Sequence, residues 1–256
     1  MSNGGSAAIV CRGLSKSYPT PEGDLPVLVD LDFEIKRGDI VAVTGESGAG
    51  KSTLLHLLGG LDRATRGEVV VDGVALNGIA DDALARFRNL QIGFVFQFHY
   101  LLPDFTALEN AMMPRLMVGI SMDEAKADAR VLLDAVGMGH RLEHRPNELS
   151  GGEQQRVAVA RALVNSPAVV LADEPSGNLD HRHSRQLHDL IWRLARERSA
   201  TFVIATHDYE LARRADRQFA LSDGGIRELS EVGRASYHTE ASVSGAMRND
   251  ETNSDE

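Results

Sequence analysis

The chain has a single cysteine, Cys11, among its 256 residues. One thiol excludes an internal disulfide and fits a reducing compartment. A basic surplus is also missing: 27 Lys and Arg stand against 37 Asp and Glu, a formal net charge of −10. Proteins that grip phosphate backbones need the opposite balance, so no nucleic-acid partner is expected. No apolar run approaches the roughly 18 residues that a membrane-spanning helix needs. Met1-Ser2-Asn3-Gly4-Gly5-Ser6 is a loose polar lead without a basic stretch followed by an apolar one, so no secretory leader is expected. Any contact with a membrane is therefore expected to go through partner subunits. What remains is ordinary globular composition, 43% hydrophobic and 25% charged, enough for one large core or a core plus a subdomain.

Against these absences stands one strong local pattern. Gly45-Glu46-Ser47-Gly48-Ala49-Gly50-Lys51-Ser52 matches G-x-x-x-x-G-K-[ST], the phosphate-binding P-loop. The apolar stretch Ile40-Val41-Ala42-Val43 precedes it as a buried strand, and Thr53-Leu54-Leu55-His56-Leu57-Leu58 follows as a helix. The glycines let backbone N–H groups turn inward around a polyphosphate, and the helix N-terminus favours negative charge there. Lys51 can reach the β- and γ-phosphates, and Ser52 can offer its hydroxyl to Mg²⁺.

Around this unit, strands are expected at Ile9-Val10 and 27–35, separated by a Pro- and Gly-containing turn over 19–26. A short strand at 68–71 closes on the Asp72-Gly73 turn, a helix covers 80–88, and another strand covers 92–96. From Thr106 to Val136 the pattern becomes helical. Thr106 and Glu109 form a capping box, and Ala125, Ala129, Leu132 and Leu133 share the apolar side of a helix over 122–136. A helix ending near Val164, an apolar strand at 168–172, a helix at 181–198 and an apolar strand at 202–205 complete the series. Apolar strands alternating with helices imply an α/β fold with a mostly parallel sheet covered on both faces. Residues 231–256 are polar and acidic without periodicity, and are expected to be a disordered tail.

Two further patterns carry chemistry. The strand at 168–172 runs into Asp173 and Glu174, which places carboxylates at the strand's C-terminal edge, where open α/β sheets bind ligands. Asp173 suits a Mg²⁺ bridging phosphates, and Glu174 suits a general base for an attacking water. Leu149-Ser150-Gly151-Gly152-Glu153 opens a helix and is either a second anion-binding helix N-terminus or an ordinary N-cap. His56, His99, His140, His144, His181, His183 and His188 show no metal-ligand spacing.

Together these motifs resemble the nucleotide-binding subunits of ABC transporters over about residues 8–230. The segment 149–153 is similar to their signature motif, and Gly177-Asn178-Leu179-Asp180 to their D-loop. Gln97 matches their Q-loop glutamine, His207 their switch histidine, and Tyr18 the aromatic that stacks on adenine. By residue type alone, Gln97 is equally a polar strand end, His207 a neighbour of the capping types Thr206 and Asp208, and Tyr18 a packing aromatic.

The resemblance implies a P-loop NTPase core, an N-terminal antiparallel β subdomain and an inserted α-helical subdomain over about 98–160. It makes residues 1–230 one ATP-binding domain. It further implies ATP and Mg²⁺ as ligands. Glu174, His207, Gln97 and Lys51 would take part in hydrolysis. Tyr18, the loop from Gly45 through Glu46, Ser47, Gly48, Ala49, Gly50, Lys51 and Ser52 to Thr53, and Ser150, Gly151, Gly152 and Asp180 would hold the nucleotide. Ser52, Gln97 and Asp173 would hold the metal. The partners implied are a second copy of the chain, with ATP at the interface, and transmembrane permease subunits at the cytoplasmic face of a bacterial inner membrane.

Residues 97–110, 54–62 and 162–165 are most similar to the lipoprotein-releasing branch of that family, with macrolide-export and cell-division branches as alternatives. In the family, the region after the Q-loop glutamine contacts the membrane subunits. Glu46 departs from the small polar residue usual in these relatives and adds a negative charge expected to oppose phosphate binding. A mechanical ATPase acting on DNA or ribosomes is disfavoured. Such chains carry two nucleotide domains or a long coiled-coil insertion, and this chain has one P-loop and no heptads between Gln97 and Leu149.

Overall fold

A six-stranded sheet divides the molecule into two cores. The computed structural model describes residues 6–230, so the polar lead (Ser6 apart) and the acidic tail lie outside the described residues. The sheet contains β3 (Ile40–Thr44), β6 (Ile92–Phe96), β7 (Val169–Asp173), β8 (Thr201–Ala205), β9 (Arg217–Ser222) and β10 (Gly225–Glu228), in the order β10-β9-β3-β8-β7-β6. Every pairing is parallel except β10 with β9. Strand side chains alternate between faces, and here both faces are apolar. Val170, Ala172, Phe202 and Ile204 enter one core, whereas Val169, Leu171, Val203 and Ala205 enter the other.

The first core lies against the helical insertion: α3 (Ala107–Met117), α4 (Met122–Ala135) and α5 (Gly151–Leu163). α3 starts at the expected capping box, with Thr106 Oγ1 accepting from Glu109 N–H and Glu109 Oε2 accepting from Thr106 N–H. α4 buries the four residues that its periodicity selects, Ala125, Ala129, Leu132 and Leu133. α6 (His181–Arg198) packs on the same core through Leu187, Leu190, Ile191 and Leu194.

The second core joins the other sheet face to α1 (Lys51–Leu58) and to a four-stranded antiparallel sheet. That sheet contains β1 (Ala7–Thr20), β2 (Gly23–Lys36), β4 (Arg66–Val71) and β5 (Val74–Ala75), in the order β2-β1-β4-β5. Helices α2 (Asp81–Gln91) and α7 (Tyr209–Arg213) complete the fold. Among the described residues, no helix is long and apolar enough to cross a membrane.

One expectation needs correcting. The turn read over 19–26 is only Pro21-Glu22, and β1 and β2 stay paired to its edge, with Ser17 opposite Pro26 and Pro19 opposite Asp24. Proline normally ends a strand because it lacks an N–H donor. β2 is an edge strand, and β1 loses its other neighbour, β4, beyond Ser15, so neither proline breaks a ladder on both sides.

Candidate functional site

Parallel strands all deliver their C-terminal loops to one edge of the sheet, and register decides which residues meet there. Phe96 pairs with Asp173, Asp173 with Ala205, and Val43 with Ala205. Four chain segments distant in sequence therefore leave the sheet at one level. They carry Gln97 after β6, Asp173 and Glu174 at the end of β7, His207 after β8, and the P-loop after β3. Glu174 N–H donates to Ala205 O (2.9 Å) and Thr206 N–H to Val43 O (3.0 Å), which ties these exits together.

The result is a cavity of about 510 Å³ lined by Ser47, Gly48, Gly50, Lys51, Ser52 and Thr53 on one side and by Gln97, Asp173, Glu174 and His207 on the other. Val27, from β2, closes it and was not foreseen, because nothing in the sequence says that the second sheet reaches over the loop. Gly50 is the N-cap of α1 at φ 98, where a side chain would be strained and a Cβ would stand 3.0 Å from Val27 Cγ1. No side chain caps this helix, so its N-terminal N–H groups have no side-chain acceptor at the cap. The Lys51 amine donates to Gly45 O (2.9 Å) and Glu46 O (3.0 Å). The expected loop residues Gly45, Glu46 and Ala49 are not part of the cavity lining. Glu46 itself is exposed.

At the far wall, Glu174 adopts φ 44, an unusual conformation for a residue with a Cβ, of the kind that concentrates at functional sites. Its Oε1 lies 2.8 Å from His207 Nδ1, and Thr206 Oγ1 donates to its Oε2 at 3.3 Å. The expected base and the expected switch histidine are thus in direct contact. Asp173 Oδ1 is buried and has no hydrogen-bond partner. A lone buried carboxylate oxygen beside the Ser52 hydroxyl and the Gln97 amide is a hard oxygen donor set suited to Mg²⁺, which takes one or two carboxylates and completes its shell with phosphate and water. No cluster of three or more His, Cys, Asp or Glu able to hold a metal occurs among the described residues.

Five further expected contributors, Tyr18, Ser150, Gly151, Gly152 and Asp180, lie outside this cavity. The Tyr18 hydroxyl donates to Asp62 Oδ2 (2.8 Å), and the Lys16 amine sits 4.6 Å from its ring centre. Burial and the hydrogen bond to Asp62 both raise the Tyr18 pKa. Asp180 is the N-cap of α6 and also meets His183 Nδ1 at 2.7 Å. Ser150 caps α5 in a full capping box with Glu153, so the plainer of its two readings is present in the single chain. The Glu153 carboxyl is held below its ordinary pKa, chiefly because Ser150 N–H donates to it. This helix tip packs beside α6: a Cβ on Gly152 would stand 3.6 Å from the His183 ring.

The protein-family model described as "ABC transporter" matches residues 28–177. The chain belongs to the ABC transporter family. It is 51% identical over 226 residues to the "Lipoprotein-releasing system ATP-binding protein LolD" of Xanthomonas campestris pv. campestris, covering 88% of this chain and 95% of that relative. The protein of the same name from Xylella fastidiosa is 52% identical over 224 residues, covering 88% and 93%. Among solved structures, the chain is similar to the ATP-binding cassette MJ0796 in a dimeric post-hydrolysis state bound to ADP and Pi. There the TM-score is 0.79 at 39% identity, over 86% of this chain and 97% of that one. As an ABC family ATPase, the chain has the expected P-loop fold, with its mostly parallel sheet, antiparallel β portion and helical insertion.

Proposed function

We propose that this chain is the ATP-hydrolysing subunit of a membrane complex that releases lipoproteins from the bacterial inner membrane toward the outer membrane, working as a pair of copies with ATP between them. The observation that carries the reading is the convergence of Lys51, Ser52, Gln97, Asp173, Glu174 and His207 on one cavity. The loop of Lys51 binds the triphosphate through backbone N–H groups and the amine, which leaves the carbonyls of Gly45 and Glu46 for the phosphate oxygens. Ser52, Gln97 and Asp173 hold Mg²⁺, which when bound neutralises charge developing on the phosphates. Glu174 takes the proton of the attacking water, and His207, already at its carboxylate, contacts the terminal phosphate. In this reading, Ser150, Gly151, Gly152 and Asp180 complete the cavity of the second copy, and Tyr18 stacks on adenine.

A membrane partner is supported by the surface after Gln97. Phe98, Tyr100, Leu102 and Phe105 are all exposed, Phe98 at 60% and Tyr100 at 64%. The half-buried Arg161 guanidinium holds their backbone by donating to His99 O and Tyr100 O, both at 2.7 Å. Apolar side chains on a fixed loop form a docking patch for another protein. The chain would sit peripherally at the cytoplasmic face of the inner membrane, bound through the permease subunits. The relatives named for lipoprotein release, about half identical over most of their length, support this cargo.

The test is Glu174→Gln. Hydrolysis is expected to fall by roughly a hundredfold to ten-thousandfold, while ATP drives the variant into a stable dimer visible by size-exclusion chromatography. A variant that stays monomeric with ATP and hydrolyses at the original rate would overturn the role of Glu174. For the cargo, the chain is co-expressed with its genomic neighbours, and a co-purifying permease with a large periplasmic domain is the expected partner.

A further inference from the structure

We infer that Asn178 is a positioning residue that fixes which end of the Gln97 amide faces the metal side of the cavity; this rests on the reading of that cavity given above. Asn178 is exposed on the loop after β7 and does not line the cavity, but it forms two hydrogen bonds with Gln97. Its Nδ2 donates to the Gln97 backbone carbonyl (3.1 Å), and its Oδ1 accepts from Gln97 Nε2 (3.2 Å).

Amide nitrogen and oxygen look alike in shape, so the orientation of such a pair has to be deduced from partners of fixed chemistry. The backbone oxygen of Gln97 can only accept, so the atom of Asn178 facing it is the NH₂ group. The other end of the Asn178 amide is therefore the oxygen, which can only accept from the Gln97 side chain. That engages Gln97 Nε2 and leaves Gln97 Oε1 as the free end. An oxygen is the atom a Mg²⁺ ion needs, and a flipped amide would offer it N–H groups instead.

Gly177 leaves room for the pairing. A Cβ on Gly177 would lie 2.9 Å from Gln97 Nε2 and 3.2 Å from Gln97 Cδ, so a larger residue here would push the Gln97 amide out of its present position. The two loops leave neighbouring strands at paired positions, Phe96 and Asp173, so sheet register holds the two partners side by side.

The test uses the full chain, a non-hydrolysable ATP analogue and Mn²⁺ as a paramagnetic stand-in read by electron paramagnetic resonance. Outer partners of metal ligands change metal affinity by roughly tenfold or more. Asn178→Ala is therefore expected to weaken Mn²⁺ binding about tenfold, with analogue affinity in EDTA unchanged, which also shows that the variant is folded. Gln97→Ala is expected to lose at least as much, and the double variant no more than Gln97→Ala alone, because Asn178 acts only through Gln97. Unchanged Mn²⁺ affinity in Asn178→Ala, or additive losses in the double variant, would overturn the assignment alone. Failure of the unaltered chain to bind Mn²⁺ with the analogue would overturn the reading of the cavity, and the assignment with it.

Discussion

Two helix N-termini carry the small-residue pattern associated with anion binding, and they differ in how they are capped. α1 begins at Gly50, in a left-handed conformation and without a side-chain cap. α5 begins at Ser150, whose hydroxyl accepts from Glu153 N–H while the Glu153 carboxylate accepts from Ser150 N–H. No side chain engages the first terminus, whereas the capping box of the second engages two of its N–H groups, those of Ser150 and Glu153. In the function proposed above, the tip of α5 meets the terminal phosphate of ATP held by a second copy, which would compete with Glu153 for these donors. An N-cap and an anion site are the same donors with different acceptors.

Substitutions at the two termini sharpen this contrast. The largest effect is expected at the open one. Lys51→Ala removes a charged donor to phosphate and is expected to lower ATP affinity of the isolated chain roughly a hundredfold and hydrolysis about a thousandfold, measured by fluorescent-nucleotide titration and phosphate release. Ser150→Ala is expected to leave nucleotide affinity of the isolated chain unchanged. It should weaken the ATP-dependent dimer roughly tenfold, the worth of one hydrogen bond to a charged group, as read by analytical ultracentrifugation with Glu174→Gln as background. Loss of monomer nucleotide binding in Ser150→Ala would break the distinction between the termini. The same change removes a helix cap, at about 1 kcal/mol and a melting shift of roughly 2–4 °C.

The smallest effect concerns acid. Glu153 is held below its ordinary value of 4.5 by the Ser150 N–H bond, so the folded chain keeps this group ionised to lower pH than the unfolded chain does. The stability that the box confers is thus fully present above pH about 4.5 and is lost as pH falls through the folded value. Urea unfolding between pH 3 and pH 6 should show wild type and Glu153→Gln converging toward the acid end. A constant gap would mean that the carboxylate is not what closes α5.

Much of the site was legible because its parts are local. A P-loop needs glycines before a helix start, α4 needs apolar residues on one face, and a parallel core strand needs an unbroken apolar run; each is written within about ten consecutive residues. The capping boxes at Thr106 and Ser150 are equally local. The length of β1 and β2 was misread because Pro19 and Pro26 are strand breakers everywhere except at a sheet edge, and edges are a property of strand order. The place of Val27 at the cavity and the contact of the D-loop residue Asn178 with Gln97 were not legible for a related reason: each acts across a gap between segments that local pattern cannot bridge.

The amino-acid sequence alone determined the kind of unit this is, an α/β phosphate-binding core with a helical insertion, because hydrophobic period and loop chemistry act over a few bonds. Only the tertiary structure decided that Glu174 meets His207, that Asp173 keeps a buried oxygen free, and that Asn178 turns the Gln97 amide. Those contacts join loops from β6, β7 and β8, whose adjacency follows from the order and register of strands in the sheet. Hydrogen bonding is short-ranged and directional, so which groups meet is set by where the strands end in space, not by their distance along the chain.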